Sequence, residues 1–345
     1  MHAARGSSIA VFDLMLALVT GGTGFVARHL IMLLTQRGFS VRATFRGTTS
    51  PPSTPSIQWV RIDDVGPDTD WHEALRDVEV VFHLAGLAHR IAAPQRQLAS
   101  EYERINVLGT GRLARSAQNL ARPVRIVFMS SIGAVCTTSD TVVTSTTEPH
   151  PDSIYGQSKL RAEQLLAELC RDTRLQWCAV RAPLVYGPSA PGNLARLAAL
   201  AERGWPLPLG SANAPRSFAY VGNLSDALVA AALAPDAHSR CLLVADSETT
   251  SVAQLLRSIA KLRGHRSQLL PVPRGVLRFT ARVIDVLRNT AADRNDSLAR
   301  SVDLLFGSLV IDTQDTRRWL GWQPPFTMQE ALDATFRAPP LAAGA

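Results

Sequence analysis

Tyr155 and Lys159 stand four residues apart in Ile154-Tyr155-Gly156-Gln157-Ser158-Lys159-Leu160, which opens a stretch patterned as a long helix to about Cys170. That spacing puts phenol and ammonium on one helical face. A phenol, with pKa near ~10, is a poor acid or base at neutral pH unless a neighbouring cation stabilises its anion. The chain has four tyrosines and two lysines, Lys159 and Lys261, so the coincidence carries weight. Ser130 and Ser131 follow an apolar run, Val124 to Met129, and offer a hydroxyl to hold a substrate oxygen. Together these groups suit proton transfer at an alcohol or carbonyl oxygen. A surface tyrosine beside a solvated lysine is the bland alternative.

Proton transfer of this kind calls for a hydride carrier, and Leu16 to Leu30 supplies a place for one. It reads as an apolar strand, a turn with Gly21, Gly22 and Gly24, and an amphipathic helix from Phe25 to Arg37 stopped by Gly38. Gly21, Gly24 and Ala27 give the spacing G-x-x-G-x-x-A, which lets backbone N–H groups and a helix N-terminus approach a pyrophosphate. An ordinary tight turn would show similar glycines. The second strand, Phe39 to Phe45, offers Arg42 and Arg46 where an NAD site usually places an acid for the ribose hydroxyl. NADP(H) is therefore preferred, with Arg46 placed to pair with its 2′-phosphate, and NAD(H) is possible.

The elements that position these groups alternate regularly. Ile57 to Ile62 reads as a third strand ending in Asp63, Asp64 and Val65, where an acid can accept from an adenine amino group. Val78 to Leu84 is a fourth, running into His83-Leu84-Ala85-Gly86, and Gln97 to Leu120 a long helix carrying Asn106. His83 is expected to be a satisfied core histidine. Strand–helix alternation of this kind implies a parallel, doubly wound sheet. Further strands are expected at Gln176 to Arg181 and Cys241 to Val244, with helices at Asn223 to Ala234, Val252 to Leu262, Gly275 to Leu287 and Ser297 to Phe306. Arg274, Arg278, Arg282 and Arg288 make part of this last region basic, the pattern of a solvated face or of contact with anionic headgroups.

Bulk properties narrow the partners. With 345 residues, 46% of them hydrophobic, the chain can build one large core or two modest ones. No apolar run reaches the ~18 residues of a membrane span, and a cytoplasmic protein with no transmembrane segment is expected. Cys136, Cys170, Cys178 and Cys241 are scattered, without metal-ligand spacing, as inert thiols of a reducing compartment would be. The formal charge of +7 suits an anionic small ligand, and no arginine run with interleaved aromatics suggests nucleic acid.

Read together, these segments resemble the extended short-chain dehydrogenase/reductase family, in its branch of nucleotide-sugar epimerases, dehydratases and ketoreductases. The carrying motifs are Thr20-Gly21-Gly22-Thr23-Gly24-Phe25-Val26-Ala27, His83-Leu84-Ala85-Gly86, Asn106-Val107-Leu108-Gly109-Thr110, Ser130-Ser131, the Tyr155–Lys159 segment and Arg181-Ala182-Pro183-Leu184-Val185-Tyr186-Gly187-Pro188. The resemblance spans Met15 to about Phe336. It implies an α/β fold: a Rossmann doubly wound parallel sheet with a smaller α/β substrate-binding C-terminal domain.

The expected organisation is an extension at 1–13, with Met15 a possible start; a dinucleotide domain at 14–182 plus about 217–245; a substrate domain at 183–216 and 246–337; and a tail at 338–345. By resemblance Ser131, Tyr155 and Lys159 are catalytic. Gly21, Thr23, Gly24, Phe25, Val26, Arg46, Asp64, Val65, Leu84, Ala85, Gly86, Asn106, Tyr155, Lys159 and Pro183 would meet the cofactor. Ser131, Asn193, Leu194, Leu209 and Arg216 would meet the substrate, Arg216 through a diphosphate. No metal is expected.

The implied reaction lies at C4 of a UDP-hexose. The first reading is reduction of a UDP-4-keto-sugar of N-acetylhexosamine type in surface polysaccharide precursor synthesis. A UDP-glucose or UDP-N-acetylglucosamine 4-epimerase is the alternative, and a non-catalytic dinucleotide sensor a remote one. Dehydratases of this branch carry an Asp-Glu couple after the strand-five hydroxyl, where this chain has Ile132 and Gly133. Relatives pair through two long helices, here near Gln97 to Leu120 and Ser153 to Cys170, which implies a homodimer.

Overall fold

The computed structural model describes residues 15–88, 95–264, 268–287 and 297–336; the expected extension, the tail and Arg288 lie outside these. Its strands are β1 (Leu16–Thr20), β2 (Ser40–Phe45), β3 (Ile57–Arg61), β4 (Val80–His83), β5 (Arg125–Met129), β6 (Gln176–Arg181), β7 (Val185–Tyr186), β8 (Arg216–Ser217), β9 (Ala219–Tyr220), β10 (Arg240–Leu243) and β11 (Thr249–Thr250). Seven form one sheet in the order β10-β6-β5-β4-β1-β2-β3, each pair parallel. Strand order reverses between β1 and β4, which opens a crevice at the strands' C-terminal ends.

Both faces of the sheet are covered, so its strands are mainly apolar, and successive side chains enter different cores. Ala17 and Val19 of β1 join one core with Leu30 and Leu34, whereas Leu18 joins the other with Leu113 and Leu166. The flanking helices are α1 (Phe25–Gln36), α2 (His72–Leu75), α3 (Gln95–Tyr102), α4 (Gly109–Gln118), α5 (Ile154–Cys170), α6 (Asn193–Glu202) and α7 (Val221–Leu233). Then come α8 (Val252–Leu262), α9 (Arg274–Leu287), α10 (Leu298–Phe306), α11 (Gln314–Leu320) and α12 (Met328–Phe336). A separate apolar cluster gathers Leu207, Leu209 and Phe218 with Leu255 and Leu256 of α8 and Leu332 of α12. Asp246 braces this region: its carboxylate accepts from the Tyr186 hydroxyl at 2.9 Å, Asn223 Nδ2 at 2.8 Å and the Tyr220 N–H at 2.9 Å.

One expectation needs refining. The helix read from Gln97 to Leu120 runs unbroken from Gln95 to Gln118, but Glu103–Leu108 between α3 and α4 is a π-helical turn that includes Asn106. Its residues have ordinary helical periodicity, so the sequence pattern does not betray the wider turn, which tertiary bonds of Asn106 stabilise. Arg42, which with Arg46 stands where an NAD site usually places an acid, is buried, and its guanidinium donates to Gln58 Oε1 at 2.9 Å and the Ala74 carbonyl at 3.2 Å. It ties β2 to β3 and α2.

His83 is the satisfied core histidine expected. Thr110 donates its hydroxyl hydrogen to the Asn106 carbonyl at 2.7 Å, so it accepts from His83 Nε2–H at 3.0 Å. Thr20 accepts from the Ala85 N–H at 3.0 Å and donates to Nδ1 at 2.8 Å. One neutral tautomer satisfies the whole chain of bonds. Burial, with nearby Lys159 assisting, pulls the imidazole pKa down to about 3.

The unfolded imidazole takes up a proton below about 6.5 while the folded one resists, so stability is lost as pH falls from 6.5 toward 3. Between pH 7 and pH 5 His83 is expected to account for about 2 kcal/mol of lost stability. Urea denaturation at both pH values, comparing the native chain with His83→Gln, checks this; an unchanged difference between them refutes it.

Candidate active site

The glycine turn is shaped by what crowds it. Gly21 has φ of 68°, and a Cβ there would lie 3.0 Å from Ala85 Cα. A Cβ on Gly22 would lie 2.6 Å from the Trp59 ring and 2.9 Å from Ala43 Cβ. Thr44 stitches the turn down, its carbonyl accepting from the Gly22 N–H at 2.8 Å and its hydroxyl from the Gly21 N–H at 3.0 Å. Gly24 is the N-cap of α1, whose first turn has neither a capping side chain nor an acid. That end is an uncapped positive dipole facing the crevice, and it fits a pyrophosphate. Thr23 is exposed, and Phe25 and Val26 are half-buried at the helix start.

Ser130 and Ser131 have opposite fates at the end of β5. Ser130 is buried and donates to the Glu163 carboxylate, which also takes Arg181 Nε at 3.0 Å and Nη2 at 2.6 Å. Ser131 turns the other way, accepts from the Gly133 N–H at 3.1 Å and hydrogen-bonds Tyr155. The structure thus brings Ser131 to the phenol and leaves Ser130 as an anchor. Ser153 caps α5, accepting from the Gly156 N–H at 3.0 Å. Gly156 carries its own constraint: a Cβ there would lie 2.1 Å from the Gly133 carbonyl oxygen. Only a glycine lets α5 press its first turn onto the Ser131 loop.

Lys159 reaches the same place from one turn further along. Its Nζ donates to the Met129 carbonyl at 2.8 Å and sits 4.5 Å from the centre of the Phe128 ring. Burial lowers its pKa to about 8, with Glu163 opposing the shift. Burial raises Tyr155 to about 12, and the Ser131 hydroxyl opposes that. At neutral pH the pair therefore rests as phenol and ammonium, loaded to give a proton to an incoming oxygen.

Asn106 and Gly86 complete the floor. Asn106 pairs with Leu87 like a strand neighbour, accepting its N–H at 2.8 Å and donating to its carbonyl at 3.0 Å, and also donates to Ser158 Oγ at 2.9 Å. A Cβ on Gly86 would stand 3.0 Å from Asn106 Oδ1 and 3.5 Å from Lys159 Nζ, so this glycine keeps the space above them open. Leu84 is half-buried beside it, and Ala85 and Pro183 are buried.

At the far end of the crevice Asp64 is paired with Arg104, and Arg46 Nη1 lies 3.9 Å away. Burial would raise the Asp64 pKa, but the Arg104 hydrogen bond and the Val65 N–H outweigh it and hold the carboxyl below its ordinary range. Val65 is buried and Arg46 is exposed.

The expected substrate contacts fare differently. Arg216 donates to the carbonyls of Leu304 at 2.8 Å, Gly307 at 2.6 Å and Thr137 at 3.4 Å. Its terminal nitrogens brace α10 against the loop after Ser131, rather than standing ready for a diphosphate. Leu209 is buried in the second apolar cluster. Asn193 and Leu194 open α6, and their side chains lie outside the described residues. Ile132 is buried with Val143, Leu243 and Ile311, so no carboxylate follows Ser131.

Three contributors escaped the sequence reading. Tyr102 packs its ring 6.0 Å from that of Tyr155, Glu163 anchors Ser130, and Thr44 pins the glycine turn. Glu163 stands four residues after Lys159, a helical spacing that could have revealed it. Thr44 and Tyr102 offer no such signal. Among the described residues no cluster of His, Cys, Asp and Glu is suited to a metal, and no helix is long and apolar enough to cross a membrane.

A doubly wound sheet, a pyrophosphate turn and a Ser-Tyr-Lys cluster at the strands' C-terminal ends define a dinucleotide-dependent enzyme of Rossmann architecture. The chain belongs to the NAD dependent epimerase/dehydratase family, whose profile matches residues 17–244. It is 31% identical over 327 residues to a UDP-glucose 4-epimerase of Vibrio cholerae, covering 93% of this chain and 94% of that one. It is 25% identical to a 4-hydroxy-2-methyl-3-oxo-4-farnesyl-3,4-dihydroquinoline-1-oxide ketoreductase of Stigmatella aurantiaca, over 96% and 98% of the two chains. Among solved structures it is similar to MoeE5 in complex with UDP-glucose and NAD, with a TM-score of 0.72, 26% identity and coverage of 93% and 97%.

The Gly156–Gly133 contact yields a test. Gly156→Ala is expected to push Tyr155 away from Ser131, lowering stability by about 1–3 kcal/mol and kcat by at least ~10-fold. Thermal denaturation beside steady-state kinetics measures both; a variant with native kcat would show that the close approach does not position the phenol.

Proposed function

We propose that this enzyme reduces the 4-keto group of a UDP-hexose, of N-acetylhexosamine type, with NADPH, in the synthesis of surface polysaccharide precursors. The observation that carries the reading is the Ser131–Tyr155–Lys159 cluster, proton-loaded at neutral pH, above the floor left open by Gly86. Bound at the glycine turn, the dinucleotide supplies the hydride for the sugar carbon. Ser131 holds the carbonyl oxygen by a hydrogen bond. Tyr155 gives that oxygen its proton, and the Lys159 ammonium stabilises the phenolate left behind. Lys159 and Asn106 hold the nicotinamide ribose, and Asp64 and Val65 flank the adenine. Arg46 pairs with the 2′-phosphate, with no acid at the end of β2 to repel it. Two copies pair through α3–α4 and α5.

Epimerisation at C4 of UDP-glucose or UDP-N-acetylglucosamine is the second reading, supported by the 31% identity to the Vibrio cholerae 4-epimerase. It needs the same three residues and returns its cofactor unchanged. Following NADPH absorbance with a panel of UDP-4-keto-sugars, beside UDP-glucose and UDP-N-acetylglucosamine, separates the two. Stoichiometric NADPH loss is expected; product without net loss would establish epimerisation instead. Arg46→Ala is expected to raise KM for NADPH ~10-fold or more and leave that for NADH little changed. Equal effects on both would remove Arg46 from the phosphate site.

The pH profile follows from Lys159. Its charge is present below about 8 and lost above, so reductive kcat/KM is expected to be level near neutrality and to fall above pH about 8. Initial rates across that range check it. A rate that rises through pH 9 would contradict the role given to the ammonium.

A further inference from the structure

Helix α9 is amphipathic in reverse. Val276, Phe279, Val283, Val286 and Leu287 are 55%, 69%, 42%, 65% and 80% exposed. At 3.6 residues per turn these five fall within an arc of about 100°. The opposite face holds buried Ala281 and Asp285 against α10. Asp285 accepts from the Leu298 N–H at 2.9 Å, the Ala299 N–H at 3.1 Å and the Ser297 hydroxyl at 2.6 Å, so it caps α10. Arg274 and Arg278 bind Asp303 of α10 at 2.8 and 3.1 Å. Polar bonds thus fix the rotation of α9 and keep its apolar arc outside. Turning the arc inward would take the Asp285 carboxylate away from the α10 N–H groups it caps.

The charge distribution says what covers this face. Residues 257–300 contain ten basic and three acidic residues, whereas the other 301 residues contain 26 of each. The chain's whole excess of +7 therefore lies in the stretch that carries the apolar arc. Within the described part of that stretch are seven basic residues and one acid, the buried Asp285. A second copy packed on the same face would bring two such excesses together, which opposes pairing. Branched aliphatic and phenylalanine side chains with arginine beside them suit the boundary between anionic headgroups and acyl chains.

We propose that α9 docks this protein on the surface of an anionic lipid bilayer, its Val276–Leu287 arc buried at the headgroup boundary and the exposed Arg282 at the edge of the arc among the phosphates. The full chain is sedimented with vesicles of phosphatidylcholine alone or with about a third phosphatidylglycerol. Binding to the anionic vesicles is expected, at least ~10-fold tighter than to the neutral ones and lost on raising salt from about 0.1 to 0.5 M. Phe279→Ser with Val286→Ser should weaken partitioning at least ~10-fold, and Arg282→Gln about fivefold, with turnover of soluble substrate unchanged. Circular dichroism verifies that the variants fold. Native chain left in the supernatant with every vesicle, or variants that bind as the native chain does, would overturn the proposal. So would sedimentation velocity showing a dimer that Phe279→Ser dissociates, since a second copy would then own this face.

Discussion

A buried carboxylate holds the catalytic end of this molecule together. Glu163 projects from α5 into the interior, where it meets the guanidinium of Arg181 from β6 in a two-point ion pair and takes the Ser130 hydroxyl from the end of β5. Desolvating both charges is costly, and the pair persists because nearly every lone pair of the carboxylate is used. Three consecutive elements of the sheet layer are thereby locked in register. Removing either charge would leave the other buried and unpaired, so the arrangement has little tolerance for partial loss. What Ser131, Tyr155 and Lys159 do depends on that lock, because Ser131 follows Ser130 directly and Lys159 and Tyr155 lie one and two helical turns from Glu163 on α5.

On this frame the site divides its work between backbone and side chains. Backbone crowding shapes the dinucleotide cradle: Gly21, Gly22, Gly86 and Gly156 are each pressed against a neighbour that a Cβ would strike or overfill. Side-chain chemistry is confined to a small patch in which burial drives the phenol and the ammonium in opposite directions, up to about 12 and down to about 8. Each shift favours the neutral form, yet at neutral pH the lysine stays charged and the tyrosine stays protonated. His83 lies beneath them, neutral and fully bonded, and carries the β1–β4 junction to α4 and the π turn. It supports the crevice and takes no part in proton transfer.

The second half of the chain obeys a different logic. Its short strands and its helices around Leu207, Leu255 and Leu332 pack as a small core, but α9 turns apolar side chains outward and buries an aspartate as a cap for α10. Within a single helix, hydrophobicity and burial run opposite to the usual soluble pattern. The excess positive charge of the chain is concentrated in the same stretch.

Much of this was legible in the residues themselves. The parallel sheet follows from apolar runs separated by helical periodicity, and β6, α5 and α8 begin and end where the pattern of Gln176–Arg181, Ile154–Cys170 and Val252–Leu262 places them. Tyr155 and Lys159 were visible because a four-residue spacing is a local property that a helix converts directly into proximity. What the sequence could not decide was which groups meet across long separations. Resemblance picked Ser131 over Ser130 without a physical reason, and the fold supplies one: Glu163, thirty-three residues from Ser130, makes that serine an anchor and leaves Ser131 a neighbour of the phenol. Arg42, Arg46 and Arg216 carry the same guanidinium, but carbonyls from distant segments claim Arg42 and Arg216 and leave Arg46 exposed beside Asp64. Local periodicity determined the elements and the Tyr-Lys pair. Burial and long-range hydrogen bonding, which exist only in the folded chain, decided what each polar side chain does.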